Sequence, residues 1–136
     1  MSRTPLTDRI VEIRTHSPER VAEVMASRPR GAMPTGDDKL LVIACDHPAR
    51  GALAAGPDPM AMASREEVLA RCVEALSRPG VGGFLGTADL IEDLALLGAL
   101  DGKLVYGSMN RGGLAGATFE MNDRMTGYDA RGVVES

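Results

Sequence analysis

The sequence predicts an α/β fold built on a parallel sheet. Two observations carry this. Residues 40–45, 81–85 and 103–107 read as short strands, LLVIAC, VGGFL and KLVYG. Between them lie segments whose apolar residues recur at helical spacing, opened by capping residues and closed by glycine-containing turns. Strands that alternate with helices in this way run parallel, because a parallel pair needs a crossover connection.

Each element has its own signal. Residues 7–28 read as helix, with Ile10 and Ile13 on one face, restarted at Ser17-Pro18 and continued by Val21, Val24 and Met25. Residues 29–38, RPRGAMPTGD, form a Pro- and Gly-rich loop before the first strand. A long loop, 46–63, follows that strand. Ser64-Arg65-Glu66-Glu67 reads as a capping box, and Val68, Leu69, Cys72, Val73 and Leu76 mark the buried face of the helix it starts. Arg78-Pro79-Gly80 ends that helix. Thr87 is placed to cap a second helix over 88–97, with Leu90, Ile91, Leu94 and Leu97 inward and Gly98 at its C-terminal end. Glu92 and Asp93 are expected on its solvated side. Asp101-Gly102 turns the chain into the third strand, and residues beyond 108 read as loop. Thr126 and Asp129 could start one more helix, but the chain stops before it completes. A β-α-β-α-β unit with an open edge is expected to be the front of a larger domain.

Composition bounds the function. The 136 residues suffice for one domain with a modest core. A net charge of -4 argues against nucleic acid or an anionic membrane as the main partner. No apolar run approaches the ~20 residues that span a bilayer, and MSRTPLTDRI contains no secretory h-region. Cys45 falls in a strand and Cys72 on a helical stripe. Two such residues read as buried thiols of a reducing cytoplasm, with a disulfide as the alternative. Aromatic residues make up 3% of the chain, so stacking platforms for bases are scarce.

The candidate site lies at the carboxyl ends of the strands, where β/α proteins bind ligands. Asp46 and His47 follow the first strand directly. The carboxylate of Asp46 can hold hydroxyl groups or relay a proton, or it can merely support its own loop as an Asx turn. His47 can act as an acid or base, or hydrogen-bond backbone. A metal site needs three or four converging ligands, and the other histidine, His16, lies in the leading helices; no metal is expected. Asp89 can reach the mouth of a site or simply complement its helix dipole. Ser108, Asn110 and Arg111 follow the third strand; Arg111 beside Gly112 and Gly113 can bind a carboxylate or phosphate, or the glycines can serve a tight turn alone. The Met-rich stretch Asp58–Met62 reads as a lid or as packing beneath the loop, and Tyr106 as core.

The runs LLVIACDHPARGAL, RPGVGGFLGTADLIEDL and KLVYGSMNRGGLAGATFEMNDRMTGYDA resemble a bacterial (β/α)8 family of myo-inositol catabolism gene clusters. That family is related to the class I aldolases of the deoxyribose-phosphate and archaeal fructose-bisphosphate types. The resemblance covers residues 38–130, and the leading helices more weakly. Related aldolases carry Asp-His-Gly where this chain has Asp46-His47-Pro48, so their loop geometry does not transfer. The resemblance implies the N-terminal part of a TIM barrel, about three βα units over 39–136, preceded by a helical extension and loop over 1–38. It implies Schiff-base aldol chemistry on a small, phosphorylated sugar or polyhydroxy ketone, with no metal or organic cofactor. Asp46 and His47 would be catalytic, and Ser108, Asn110, Arg111 and Asp89 would bind substrate. The imine-forming lysine would lie outside these residues, since Lys39 and Lys103 sit at the amino ends of strands.

Two other readings stand beside that one. A half-barrel could bind sugar or phosphate without turnover, or complete its sheet with another chain, including a second copy as a homo-oligomer. A metal-dependent aldolase or isomerase would lose its activity to a chelator.

Overall fold

A computed structural model describes residues 4–109 and 129–135. Three parallel strands, β1 (Leu41–Cys45), β2 (Val81–Gly86) and β3 (Leu104–Gly107), form one sheet in the order β1-β2-β3. Helix α3 (Arg65–Leu76) crosses from β1 to β2, and α4 (Ala88–Leu96) from β2 to β3. Ahead of them come α1 (Leu6–His16) and α2 (Arg20–Ser27); α5 (Ala130–Glu135) follows. The strand and helix boundaries fall within one or two residues of the expected ones.

The parallel α/β architecture stands, but the barrel does not. The described residues form a small α/β domain with a single open sheet of three strands. Barrel closure requires more strands and a consistent stagger around the ring. Short turns and β-α alternation dictate parallel pairing, but open and closed sheets share them. The barrel rested on the resemblance alone.

Strand alternation divides the sheet into two faces. Ile43, Phe84 and Val105 are register partners whose side chains join the core beneath the helices. Phe84, Leu69, Leu90, Ile91, Leu94 and Leu100 are its fully buried members. On the other face, Val42 and Tyr106 flank Gly83: a Cβ there would meet Val42 Cγ2 at 3.2 Å and Tyr106 Cε2 at 3.5 Å. Tyr106 is thus half-buried beside a glycine gap rather than inside the core.

The leading helices are joined to this layer by charge. Helix α1 follows Pro5, which supplies no side-chain cap. Its N-terminus is capped instead from α3: Glu66 accepts from Leu6 N–H at 3.0 Å, Thr7 N–H at 2.8 Å and the Thr7 hydroxyl at 3.0 Å. Those N–H groups have no intrahelical acceptor, so a carboxylate there answers both the missing bonds and the helix dipole. Backbone donation from Leu6 and then Thr7 holds the Glu66 carboxyl below its ordinary range, against a weaker opposing effect of burial.

Asp93 departs from the expected solvated face. It is 7% exposed and sits between two arginines. Arg14 of α1 donates Nη2 to Oδ1 at 2.8 Å, and Arg65 of α3 donates Nη2 to Oδ2 at 2.5 Å. Both Nε groups also donate to it. Helical spacing alone put Asp93 among polar neighbours; the two arginine partners, distant in sequence, draw it inward. Glu92 keeps its outward position and pairs with Arg14 at 2.9 Å.

Further local readings resolve in the same way. The Ser64 hydroxyl accepts from Glu67 N–H at 3.4 Å, but the Glu67 side chain pairs with Arg71 rather than closing the box. Residues 28–31 run alongside the start of β3, where Gly31 N–H donates to the Lys103 carbonyl at 3.1 Å. A Cβ on Gly31 would lie 2.6 Å from Leu104 N, so only glycine permits that approach. Ala130–Glu135 is helix, the alternative that Asp129 offered within a loop-like tail, with Asp129 Oδ1 accepting from Gly132 N–H at 2.7 Å.

Two outcomes test this framework. Asp93→Ala strands two arginine side chains at a helix junction. Because each arginine is more than a third exposed, we expect a loss of about 2 kcal/mol in urea unfolding, below the 3–5 kcal/mol of a fully buried pair. Glu66→Gln should lower the thermal midpoint at pH 7. A carboxyl depressed in the fold stabilises above its ordinary value of 4.5 and loses that contribution as pH falls further, so the two proteins should converge in acid.

Candidate functional site

Parallel register brings the carboxyl ends of all three strands to one edge. Cys45 pairs with Gly86, and Gly86 with Gly107. Beyond them stand Asp46, Thr87 and Ser108. The Ser108 N–H donates to the Gly86 carbonyl at 2.8 Å and extends the ladder by one residue. Asp46 and Ser108 therefore share an edge, as expected from their positions after the first and third strands.

Asp46 leads into a short 3-10 turn, His47–Arg50, with Pro48 in its first turn. Gly51 closes the turn in the left-handed region at φ 77°, and its N–H donates to the Pro48 carbonyl at 3.0 Å. The tight turn folds Arg50 back over Asp46: Nη2 reaches Oδ2 at 2.8 Å and Nε at 3.3 Å. Both side chains are about three-quarters buried. Asp46 thus makes a half-buried ion pair and gives no side-chain cap to the turn. Reading the residues had not singled out Arg50; the Asp-x-x-x-Arg spacing of DHPAR was the available signal. His47 is half-buried at the start of the turn, where its carbonyl accepts from Ala52 N–H at 3.1 Å.

The other expected residues divide. Asp89 stands on the first turn of α4, largely exposed, and pairs with Arg65 Nη1 at 2.9 Å. Burial pushes its carboxyl up, but the Thr87 hydroxyl and the Arg65 guanidinium outweigh it and hold the group below its ordinary range. Thr87 occupies the N-cap position but makes no side-chain bond to the helix N–H groups. Asn110 and Arg111 lie outside the described residues. Among the described residues, no three His, Cys, Asp or Glu side chains converge as a metal-ligand set.

Beneath this edge lies a cavity of about 290 Å³ between the β1–α3 loop and α4. Cys45, Pro48, Leu53, Met62, Arg65 and Asp89 are among its walls. Met62 is buried there and its N–H donates to the Leu53 carbonyl at 2.9 Å, which makes it packing beneath the loop; Met60 is exposed. Cys45 and Cys72 are both free and buried. The influence of Cys72 holds the Cys45 thiol below its ordinary range, opposed by burial and helped by Arg65. Cys45 and burial push the Cys72 thiol up.

With this geometry in view, comparison with known proteins is informative. Residues 38–136 match the Cgl0159-like family. The chain belongs to that family. It is also similar to the crystal structure of Cgl0159 from Corynebacterium glutamicum (Brevibacterium flavum), at 50% identity and a TM-score of 0.88. The match covers 99% of this chain and 46% of that one, so the present sequence spans less than half the length of Cgl0159. No curated protein matches the chain. Family membership embraces β1 to β3 and therefore the entire carboxyl edge. No helix among the described residues is long and apolar enough to cross a membrane.

The edge depends on glycine at 86. A Cβ at that position would lie 2.5 Å from Cε1 of the fully buried Phe84 ring. We expect Gly86→Ala to destabilise the fold by about 1–3 kcal/mol through this overpacking. Denaturant midpoints of the variant and its parent check this; Gly86 is not among the positive-φ glycines, so the cost read is steric crowding against Phe84.

Proposed function

We propose that this chain contributes the carboxyl-edge part of an aldolase-like lyase of the Schiff-base class. Its substrate would be a small polyhydroxy carbonyl compound carrying a phosphate or another anionic end. The observation that carries the reading is the half-buried Asp46 carboxylate, held by Arg50 on the same strand edge as Ser108.

Cleavage of a carbon–carbon bond next to a hydroxyl needs a base for the hydroxyl proton and a sink for the electron pair. Asp46 accepts that proton. The sink is an iminium formed between substrate carbonyl and a lysine, which stores the pair as an enamine until a proton returns to carbon. His47, beside Asp46, exchanges protons as the imine forms and hydrolyses. Ser108, with Asn110 and Arg111 after it, holds the polar end of the substrate. The lysine comes from outside these residues. Lys39 precedes β1, and Lys103 precedes β3 and donates Nζ to the Val81 carbonyl at 2.6 Å. Both stand at the opposite edge of the sheet from Asp46. An acidic chain with two free thiols suits a cytoplasmic setting.

Borohydride trapping provides the test. With this chain and a panel of ketose phosphates, the protein mass should remain unchanged. With a longer chain of the family that includes these residues, we expect an adduct on a lysine outside them. Asp46→Asn in that chain should lower cleavage by about 10²–10⁴-fold while ligand binding persists. An adduct on Lys39 or Lys103 overturns the assignment. Binding without turnover by the longer chain points instead to a non-catalytic polyol-binding protein.

A further inference from the structure

A second cavity, of about 120 Å³, runs beside β3 from Lys103 to Gly107. Arg28, Arg30 and Lys103 are its charged walls, and Ile91 of α4, Val105 of β3 and Val133 of α5 are among its apolar ones. No acidic side chain stands among its described walls. The backbone brings the cations together. Arg30 bridges Lys103 in parallel, and the Lys103 carbonyl accepts from both Gly31 N–H at 3.1 Å and Arg28 Nη1 at 3.3 Å.

Charge balance sets this cluster apart. Arg14, Arg20, Arg50, Arg65, Arg71 and Arg78 each pair with a carboxylate. Among the described residues, neither Arg30 nor Lys103 does. Lys103 gives one of its three N–H donors to the Val81 carbonyl at 2.6 Å and keeps the others. Arg28 is 8% exposed, the most buried cation among the described residues. Its guanidinium stays charged and cannot turn to solvent, so it fixes positive charge in the wall. Withdrawing a cation from water is costly unless an anion answers it. A chain of net charge -4 thus gathers three cations, and no carboxylate among the described walls, around one cavity.

We propose that this cavity binds a small oxyanion of the phosphate class. Arg30 and Lys103 donate to its oxygens, and Arg28 supplies the fixed charge behind them. Guanidinium and ammonium donors make short, charge-assisted bonds to such oxygens. Ile91, Val105 and Val133 keep water from part of the cavity, which strengthens those bonds. The anion is free phosphate or the phosphate group of a small metabolite; the chemistry of recognition is the same. Lys103 stands at the amino end of β3, at the opposite edge from Asp46, so the inference does not rest on the lyase reading.

Isothermal titration of the folded protein with sodium phosphate, and separately with glycerol 3-phosphate, at constant ionic strength tests this. Heat of binding is read instead of melting temperature, because phosphate salts stabilise folded proteins in general. We expect saturable binding of one anion per chain. Arg30→Gln should weaken it by about tenfold or more. That variant should melt as its parent does without phosphate, because Arg30 is exposed and its side chain makes no bond to the described residues. Lys39→Gln, just before β1 and outside the described cavity walls, should bind like the parent. Glycerol 3-phosphate that binds at least as tightly as phosphate assigns a metabolite; weaker binding assigns the free ion. No saturation in either titration, more than one anion per chain, parental affinity in Arg30→Gln, or an equal loss in Lys39→Gln would each overturn the proposal.

Discussion

Three strands running in one direction constrain everything that this domain can present. Parallel pairing aligns the carboxyl ends of β1, β2 and β3 along one edge, with Cys45, Gly86 and Gly107 in register. Crossovers in the order β1-β2-β3 then lay α3 and α4 together against the sheet, where they pack on each other. That is why residues as distant as Asp46 and Ser108 become neighbours of one edge, and why Lys39 and Lys103 are kept from it. Chemistry at this edge is a consequence of topology before it is a consequence of any individual side chain.

The helical layer is tied down by two carboxylates. Glu66 replaces the missing N-terminal cap of α1, and Asp93 receives both Arg14 and Arg65. Neither carboxylate could contribute through its own helix alone. Each becomes favourable only when a second element brings donors to it, because a carboxylate withdrawn from water needs several hydrogen bonds in return. Arg65 is the shared member. It braces Asp93 on one side, pairs with Asp89 on the other, and forms part of the wall beside Cys45. The packing of α3 against α4 and the surroundings of the cavity therefore rest on the same guanidinium.

Local signals were legible wherever neighbours in sequence decide the outcome. The Ser64 cap, the buried stripe of Val68, Leu69, Cys72 and Leu76, and the turn at Gly98 all follow from spacing over one or two helical turns. The break near Ser17 was legible as well, but Ser17 ends α1 and α2 starts at Arg20 behind Glu19, with no side-chain cap. Long-range partners were not legible. Asp93 looks like any solvated helix residue until Arg14, far along the chain, meets it. Thr87 holds the N-cap position of α4 as expected, but its side chain makes no cap bond. Sheet closure belongs to the same class: each β-α unit reads alike in an open or a closed sheet, and the difference lies in strands that no local pattern specifies. In the candidate site, the positions of Asp46 and Ser108 could be read directly, because strand ends are local. The engagement of Asp46 by Arg50 needed the conformation of the turn as well.

Alternation along one strand end gives two successive residues, Cys45 and Asp46, different surroundings. Successive side chains of a strand point to opposite faces. Cys45 points beneath the helices into the core, and it lines the cavity. Asp46 is the next residue, and it leaves the ladder to pair with Arg50 in the turn above. Cys45 is buried, whereas the Asp46 side chain beside Arg50 keeps about a fifth of its surface exposed. One residue of offset supplies both environments. The 3-10 turn closed by Gly51 folds Arg50 over Asp46 and gives Pro48 and Ala49 to the cavity wall.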